Sequence, residues 1–226
     1  MEYLTSPMKW CEPLYQYSEY IAEFWNSFSS LFFTMVSILT YYDMKNRKLT
    51  FYNNKIVINL LTLFSLIGPT SFLFHCTLNF YAQFLDELSV LLFLLYCTKN
   101  VHKIRNLNYI IYNILLFSIS WFYPYLSPFF HISIAYFLIT YSIKKLKKET
   151  ISYEIWCKGI NYGLFSVLLW ILDFVCIINT HLWWHIFVSF SGYHFILVII
   201  KEFIFEDDRK NNIKIINNFI PYLIEK

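Results

Sequence analysis

Leu78-Asn-Phe-Tyr-Ala-Gln-Phe-Leu-Asp86-Glu87-Leu-Ser-Val-Leu-Leu-Phe-Leu-Leu-Tyr-Cys-Thr98 is long and apolar enough to cross a bilayer as a helix, and it stops at Lys99. Two adjacent carboxylates near its start are costly in hydrocarbon. The stretch that argues for a membrane span therefore argues for a functional site as well. Six further apolar blocks flank it, at 21–42, 56–74, 107–122, 126–143, 160–179 and 182–200. Of the 226 residues, 58% are hydrophobic and 15% charged, in long blocks rather than alternating or heptad patterns. This composition excludes an ordinary soluble core and predicts an all-α bundle of seven membrane-spanning helices.

Lysine and arginine give the orientation. Lys45, Arg47, Lys48 and Lys55 lie between spans one and two. Lys99, Lys103 and Arg105 follow span three, and Lys144, Lys145, Lys147, Lys148 and Lys158 follow span five. The intervening loops carry none. The positive-inside rule then places the N-terminus outside or in the lumen, and the tail with Arg209, Lys210 and Lys214 in the cytosol. The expected organisation is one membrane domain, 1–205, opening with a lumenal segment, 1–20. A cytosolic tail, 206–226, follows as solvated chain with a short interfacial helix. Residues 1–20 hold Glu2, Lys9, Glu12 and Glu19 without an apolar core, so span one is expected to act as the insertion signal.

With this topology Ser71, His75, Asp86, His181 and His185 all fall at the lumenal ends of three spans. Residues four apart share a helix face, so Ser71 pairs with His75 and His181 with His185. A His-x-x-x-His pair can present two imidazoles to one metal. His75 supplies a third, leaving an open fourth position, as in catalytic zinc sites. His102, His131 and His194 lack a partner at ligand spacing and read as packing or interfacial residues.

These residues also carry a resemblance. Trp10-Cys-Glu12, Tyr20-Ile-Ala-Glu23-Phe-Trp-Asn26-Ser-Phe-Ser29, Ser71-x-x-x-His75-x-Thr-Leu, Gln83-x-x-Asp86-Glu87-Leu-Ser89, Trp170-x-x-Asp173 and His181-x-Trp-Trp-His185-Ile resemble the alkaline ceramidase family, in order, from about residue 6 to about residue 200. The resemblance implies a seven-span hydrolase of the ceramide amide bond that releases a sphingoid base and a fatty acid. Its substrate would be a ceramide-type lipid in a membrane of the endoplasmic reticulum or Golgi, with no nucleic-acid partner.

In that reading zinc on His75, His181 and His185 acidifies water and polarises the amide carbonyl. Asp86 serves as general base and proton carrier, and Ser71 donates to the oxyanion. A serine nucleophile is the rival role for Ser71, but it would need an imidazole base that the metal already takes.

The resemblance also implies a calcium ion held by the N-terminal segment. Trp10, through its carbonyl, Glu12 and Glu23 match the candidate ligands. Lys9 and Leu14, however, stand where the family has Asp and Asn, so calcium is doubtful. A Lys9 ammonium paired with Glu12 or Glu23 is the alternative. Asn179-Thr180 leaves almost no loop between spans six and seven. Cys11 and Cys176 either form a lumenal disulfide, as the resemblance suggests, or remain buried thiols. Asp173 is either a partner of a metal-binding imidazole or a packing acid. Two other readings remain, a related seven-span hydrolase of another lipid ester or amide, and a non-enzymatic heptahelical receptor.

Overall fold

The computed structural model describes residues 5–8, 10–122, 126–205, 213–218 and 220–225. Lys9, residues 123–125 and residues 206–212 lie outside these. The described chain is mostly helical. Helices α1 (Phe24–Ser30) and α2 (Phe32–Asn46) are separated by Leu31 alone, whose backbone stays right-handed, so they form one interrupted rod. The hydroxyls of Ser27, Ser29 and Ser30 donate to the carbonyls of Glu23, Asn26 and Ser27. Such back-bonding competes with the helical N–H donors and accounts for the break.

Helices α3 (Lys55–Thr77) and α4 (Phe80–His102) form a tight hairpin. Leu78 turns the chain in a left-handed conformation, and Asn79 caps α4 by accepting from the Tyr81 amide. Helices α5 (Asn106–Phe122), α6 (Ser127–Lys145), α7 (Ile151–Phe174) and α8 (His181–Ile199) complete the bundle, and α8 continues as a π-helical turn through Ile204. Among the described residues, four helices, Lys55–Thr77, Phe80–His102, Ile151–Phe174 and His181–Ile204, are long and apolar enough to cross a membrane. Gly68 permits the approach of α3 to the first rod. A β-carbon there would sit 2.3 Å from Thr34 Oγ1, which shows how small residues let membrane helices close on one another.

Two expectations are corrected. Helix α7 ends at Phe174, so residues 175–180 connect it to α8, rather than Asn179-Thr180 alone. The C-terminal region holds no interfacial helix among its described residues. Strands β1 (Ile213–Ile216) and β2 (Tyr222–Glu225) form an antiparallel hairpin, so the fold is not purely α. Ile213, Ile215 and Leu223 are buried in the main apolar core with Leu49, Trp156 and Ile200. The alternation of buried and exposed residues in β1 is the period-2 pattern of a half-buried strand.

Candidate metal centre

Helix α8 starts at a histidine because a carboxylate from α7 receives its first free amides. Asp173 Oδ1 accepts from the N–H groups of Thr180 (2.8 Å) and His181 (3.1 Å), and Oδ2 accepts from Cys11 (3.1 Å). This satisfies unpaired helix-start donors and places negative charge at the positive end of the helix. Asp173 thus anchors backbone and makes no contact with an imidazole among its hydrogen bonds. His185 follows His181 by one turn, and His75 arrives from the end of α3.

The three rings are 1%, 1% and 0% exposed for His75, His181 and His185. Their centroids lie 4.7–5.1 Å apart, and one nitrogen from each lies within 4.8 Å of the others. Among the described residues this is the single group of three or more His, Cys, Asp or Glu side chains close enough to hold a metal. The triad expected from spacing is therefore assembled.

The surroundings fix two of the rings. Glu23 donates its backbone N–H to the His75 carbonyl (3.0 Å) and accepts from His75 Nδ1 on Oε2 (2.6 Å). His185 Nδ1 lies 2.8 Å from Ser29 Oγ. Both hydrogen bonds occupy Nδ1 and leave Nε2 for a metal, the arrangement by which outer carboxylates and hydroxyls orient metal-binding histidines. His181 Nδ1 is buried without a hydrogen-bond partner. A cluster of buried imidazoles with free nitrogens turned together fits a zinc ion, whose preferred donors include neutral imidazole.

Ser71 and Asp86 join the same centre. Ser71 Oγ lies 3.5 Å from His185 Nε2, and Ser71 and the Asp86 carboxylate are close enough to interact. Sequence reasoning held Ser29 only as the end of a matched motif, with no role, and offered Glu23 to a different ion. A serine inside a Ser-rich helix start carries no signal, and the pairing of Glu23 with His75 spans 52 positions.

The residues present fit calcium poorly. Both Glu12 oxygens already accept backbone amides at the start of α1, from Trp25 (2.7 Å) and Asn26 (2.9 Å). Burial pushes the Glu12 carboxyl above its ordinary range, and these amides pull it part of the way back. Glu23 Oε2 is taken by His75 and Asn26. Among the described residues of this segment, Glu23 Oε1 and Asn26 Oδ1 are the buried side-chain oxygens without a donor, and adding the Trp10 carbonyl still leaves the protein short of the six to eight oxygens calcium takes. Leu14 is 50% exposed. Lys9 lies outside the described residues, so its pairing with Glu12 or Glu23 has no structural counterpart here.

The N-terminal segment crosses this end of the bundle as a strap. Ser6 bonds to the Leu78 carbonyl through its amide and to Gln83 Oε1 through its hydroxyl, and Met8 packs with Phe74 and Ala82. A Cys11–Cys176 disulfide fastens the strap to the α7–α8 connection. Of the remaining histidines, His194 Nδ1 donates to the Phe190 carbonyl, His102 stacks on Tyr141, and His131 lies 3.4 Å from Ser127 Oγ.

Fold and site together define a helical membrane protein with a buried three-imidazole cluster at one end of its bundle, bordered by a serine and an aspartate. The chain belongs to the ceramidase family, whose sequence pattern matches residues 2–224. It is 26% identical to mouse alkaline ceramidase 3 over 224 residues, covering 85% of this chain and 82% of that protein. It is similarly 26% identical to the alkaline ceramidase of Drosophila melanogaster, over 90% of this chain and 79% of the relative. Mouse alkaline ceramidase 1 is more similar over a shorter stretch, 41% identical across 93 residues, 39% of this chain but only 32% of the relative's length.

Proposed function

We propose that the protein is a zinc-dependent amidase of the membrane that hydrolyses ceramide to a sphingoid base and a fatty acid. The observation that carries this reading is the convergence of His75, His181 and His185 beside Ser71 and Asp86 inside an apolar bundle. The membership of the family, and the names of relatives aligned over most of their length, supply the substrate class.

His75, His181 and His185 would hold a zinc ion, which would supply the Lewis acidity that acidifies water and polarises a carbonyl. The chain's own residues do the rest. Asp86 takes the proton of the attacking water as the oxygen adds to the amide carbon. When the C–N bond breaks, the same carboxyl returns that proton to the departing amine, leaving a fatty acid. Ser71 holds Asp86 before attack and is within reach of the same centre to donate to the oxyanion afterwards, since one hydroxyl proton serves one acceptor at a time. Glu23 and Ser29 keep the His75 and His185 rings aimed. A Ser71 nucleophile is disfavoured because its nearest imidazole, His185, presents Nε2, the nitrogen left for the metal.

The same reading has seven spans, with the histidine end lumenal and the hairpin end cytosolic. Alternating Lys and Arg between loops supports this, and so does the Cys11–Cys176 pair, because disulfides persist in oxidising compartments. An endoplasmic reticulum or Golgi membrane fits.

Purified protein assayed on ceramides of varied chain length, with elemental analysis before and after chelation, tests the proposal. Hydrolysis that disappears on chelation and returns with zinc is expected. Full activity in metal-free protein, or a stable acyl adduct on Ser71, would overturn it. Protein that contains metal but leaves ceramide intact would point to another lipid amide or ester.

A further inference from the structure

The three imidazoles are oriented by different means. His75 has the Glu23 carboxylate and His185 has the Ser29 hydroxyl, whereas among the described residues no hydrogen bond holds the His181 ring by either nitrogen. Instead, two indoles lie against the His181 ring. Trp10 from the strap approaches to 3.8 Å between centroids with the planes 31° apart, and Trp184 from α8 to 4.8 Å at 29°. Trp10 is itself braced edge-on by Trp170 (5.9 Å) and Phe174 (6.5 Å) of α7.

We infer that Trp10 is a positioning residue of the metal centre, its ring face holding the His181 imidazole in the attitude that a hydrogen bond sets for the other two. The inference rests on the metal-centre reading above. It differs from the role suggested by sequence, in which only the Trp10 carbonyl mattered.

Two observations and one physical argument support it independently of that reading. First, the indole N–H of Trp10 is buried without an acceptor. A buried donor left unpaired is costly, so the ring's place is set by what its face touches and not by a hydrogen bond. Second, Trp10 and His181 are referenced to one anchor. The next residue, Cys11, is bonded to Cys176 and donates its amide to Asp173, the carboxylate that also receives the His181 amide. The strap therefore cannot slide along the bundle without disturbing the start of α8. Third, a stacked aromatic restrains rotation about the ring's own plane normal only weakly but opposes tilting. Tilt is the motion that would swing either ring nitrogen away from the other two imidazoles. Face-to-face and offset contacts between aromatic rings at these separations are attractive beyond the area they bury.

The test compares Trp10→Leu, which keeps bulk without a π face, with Trp10→Phe, which keeps a face, in the full-length chain. Zinc affinity is read by competition with a chromogenic chelator, and ligand geometry by the visible absorption of the cobalt-substituted protein. Non-reducing mass analysis verifies that the Cys11–Cys176 bond is intact. Trp10→Leu is expected to weaken zinc about 10-fold, the lower end of what losing an outer partner of a metal-binding histidine costs, and to shift the cobalt bands. Trp10→Phe is expected to recover most of both. Equal affinities and unchanged cobalt bands for the two variants would overturn the positioning role while leaving the metal centre standing. A wild-type chain that takes up neither zinc nor cobalt would overturn both.

Discussion

The two ends of the bundle are built on opposite principles. At the hairpin end, the main core joins Met44, Leu49, Phe51, Trp156, Ile200 and Phe203 to Ile213, Ile215 and Leu223, all buried. At the histidine end, the second apolar cluster contains only Met8, Phe74 and Ala82, edged by Trp10 and Leu78. Beside the rings packed around His181, what holds the histidine end is polar and long-range: Glu23 to His75, Ser29 to His185, Asp173 to Cys11 and His181, and one disulfide. Apolar packing gains from every neighbour and tolerates repacking, whereas a buried polar group must meet a particular partner. The difference teaches that the fold is secured mainly at one end so that the other can hold groups that are expensive to bury.

The sharpest way to break this division is a substitution that removes the chemistry and leaves the packing. His75→Asn keeps an N–H near the position of Nδ1 for Glu23 but deletes the nitrogen facing the other imidazoles. Losing a metal-supplied several kcal/mol of transition-state stabilisation corresponds to a fall of about 10³-fold or more in kcat/KM. Helicity and the metal-free unfolding midpoint should stay near wild type. Retained hydrolysis would remove His75 from the centre.

Glu23→Gln comes next. The amide cannot match a carboxylate as acceptor for the His75 ring, and outer partners of this kind are worth about 10- to 100-fold in metal affinity. Zinc competition should show that loss, and activity should return at saturating zinc. If calcium rather than zinc rescues the variant, Glu23 belongs to a calcium cage and the assignment to His75 fails.

These two residues also show what can be read before a structure. His75, His181 and His185 stood out because ionisable residues in apolar runs are rare and because a spacing of four leaves two of them on one face. Their pairing with Glu23 and Ser29 did not stand out, although both lie in a matched motif. Ser29 meets a residue 156 positions away and Glu23 one 52 positions away, separations that no local pattern encodes. Asp173 was left open between an imidazole partner and a packing acid, and it takes a third role as acceptor of backbone amides, since a carboxylate near a histidine in sequence can serve the backbone as readily as the ring. At the other end, Ile213-Lys-Ile-Ile216 does alternate, yet four residues in a charged tail are too short to distinguish a strand from solvated chain. Its burial follows from Leu49, Phe51 and Trp156, which lie far away in sequence.

The hairpin supplies the reverse test. Leu223 is 1% exposed in the main core, so Leu223→Ala should cost about 2–5 kcal/mol, the range for emptying a buried leucine site. Chemical unfolding in detergent would measure it. Zinc affinity of the folded fraction should not change, because no part of the metal centre touches β2 among the described hydrogen bonds. Loss of zinc affinity at matched folded fraction would show that the two ends are coupled after all.

The smallest effect belongs to the rim of the hairpin. Glu225 accepts from both the amide and the hydroxyl of Thr50, at 2.6 Å each, and so ties β2 to the loop between α2 and α3. These contacts are solvent-exposed, where water competes for every partner. Removing the charge by Glu225→Gln should therefore cost no more than about 1 kcal/mol, in keeping with exposed charged contacts elsewhere. The same unfolding measurement in low and high salt separates two accounts of the hairpin. If apolar burial by Ile213, Ile215 and Leu223 holds it, the Glu225 effect stays small and shrinks further with salt, while the Leu223 effect persists. A Glu225→Gln loss as large as that of Leu223→Ala would mean that the hairpin is pinned by its charged rim, and the contrast between an apolar end and a polar end would not hold.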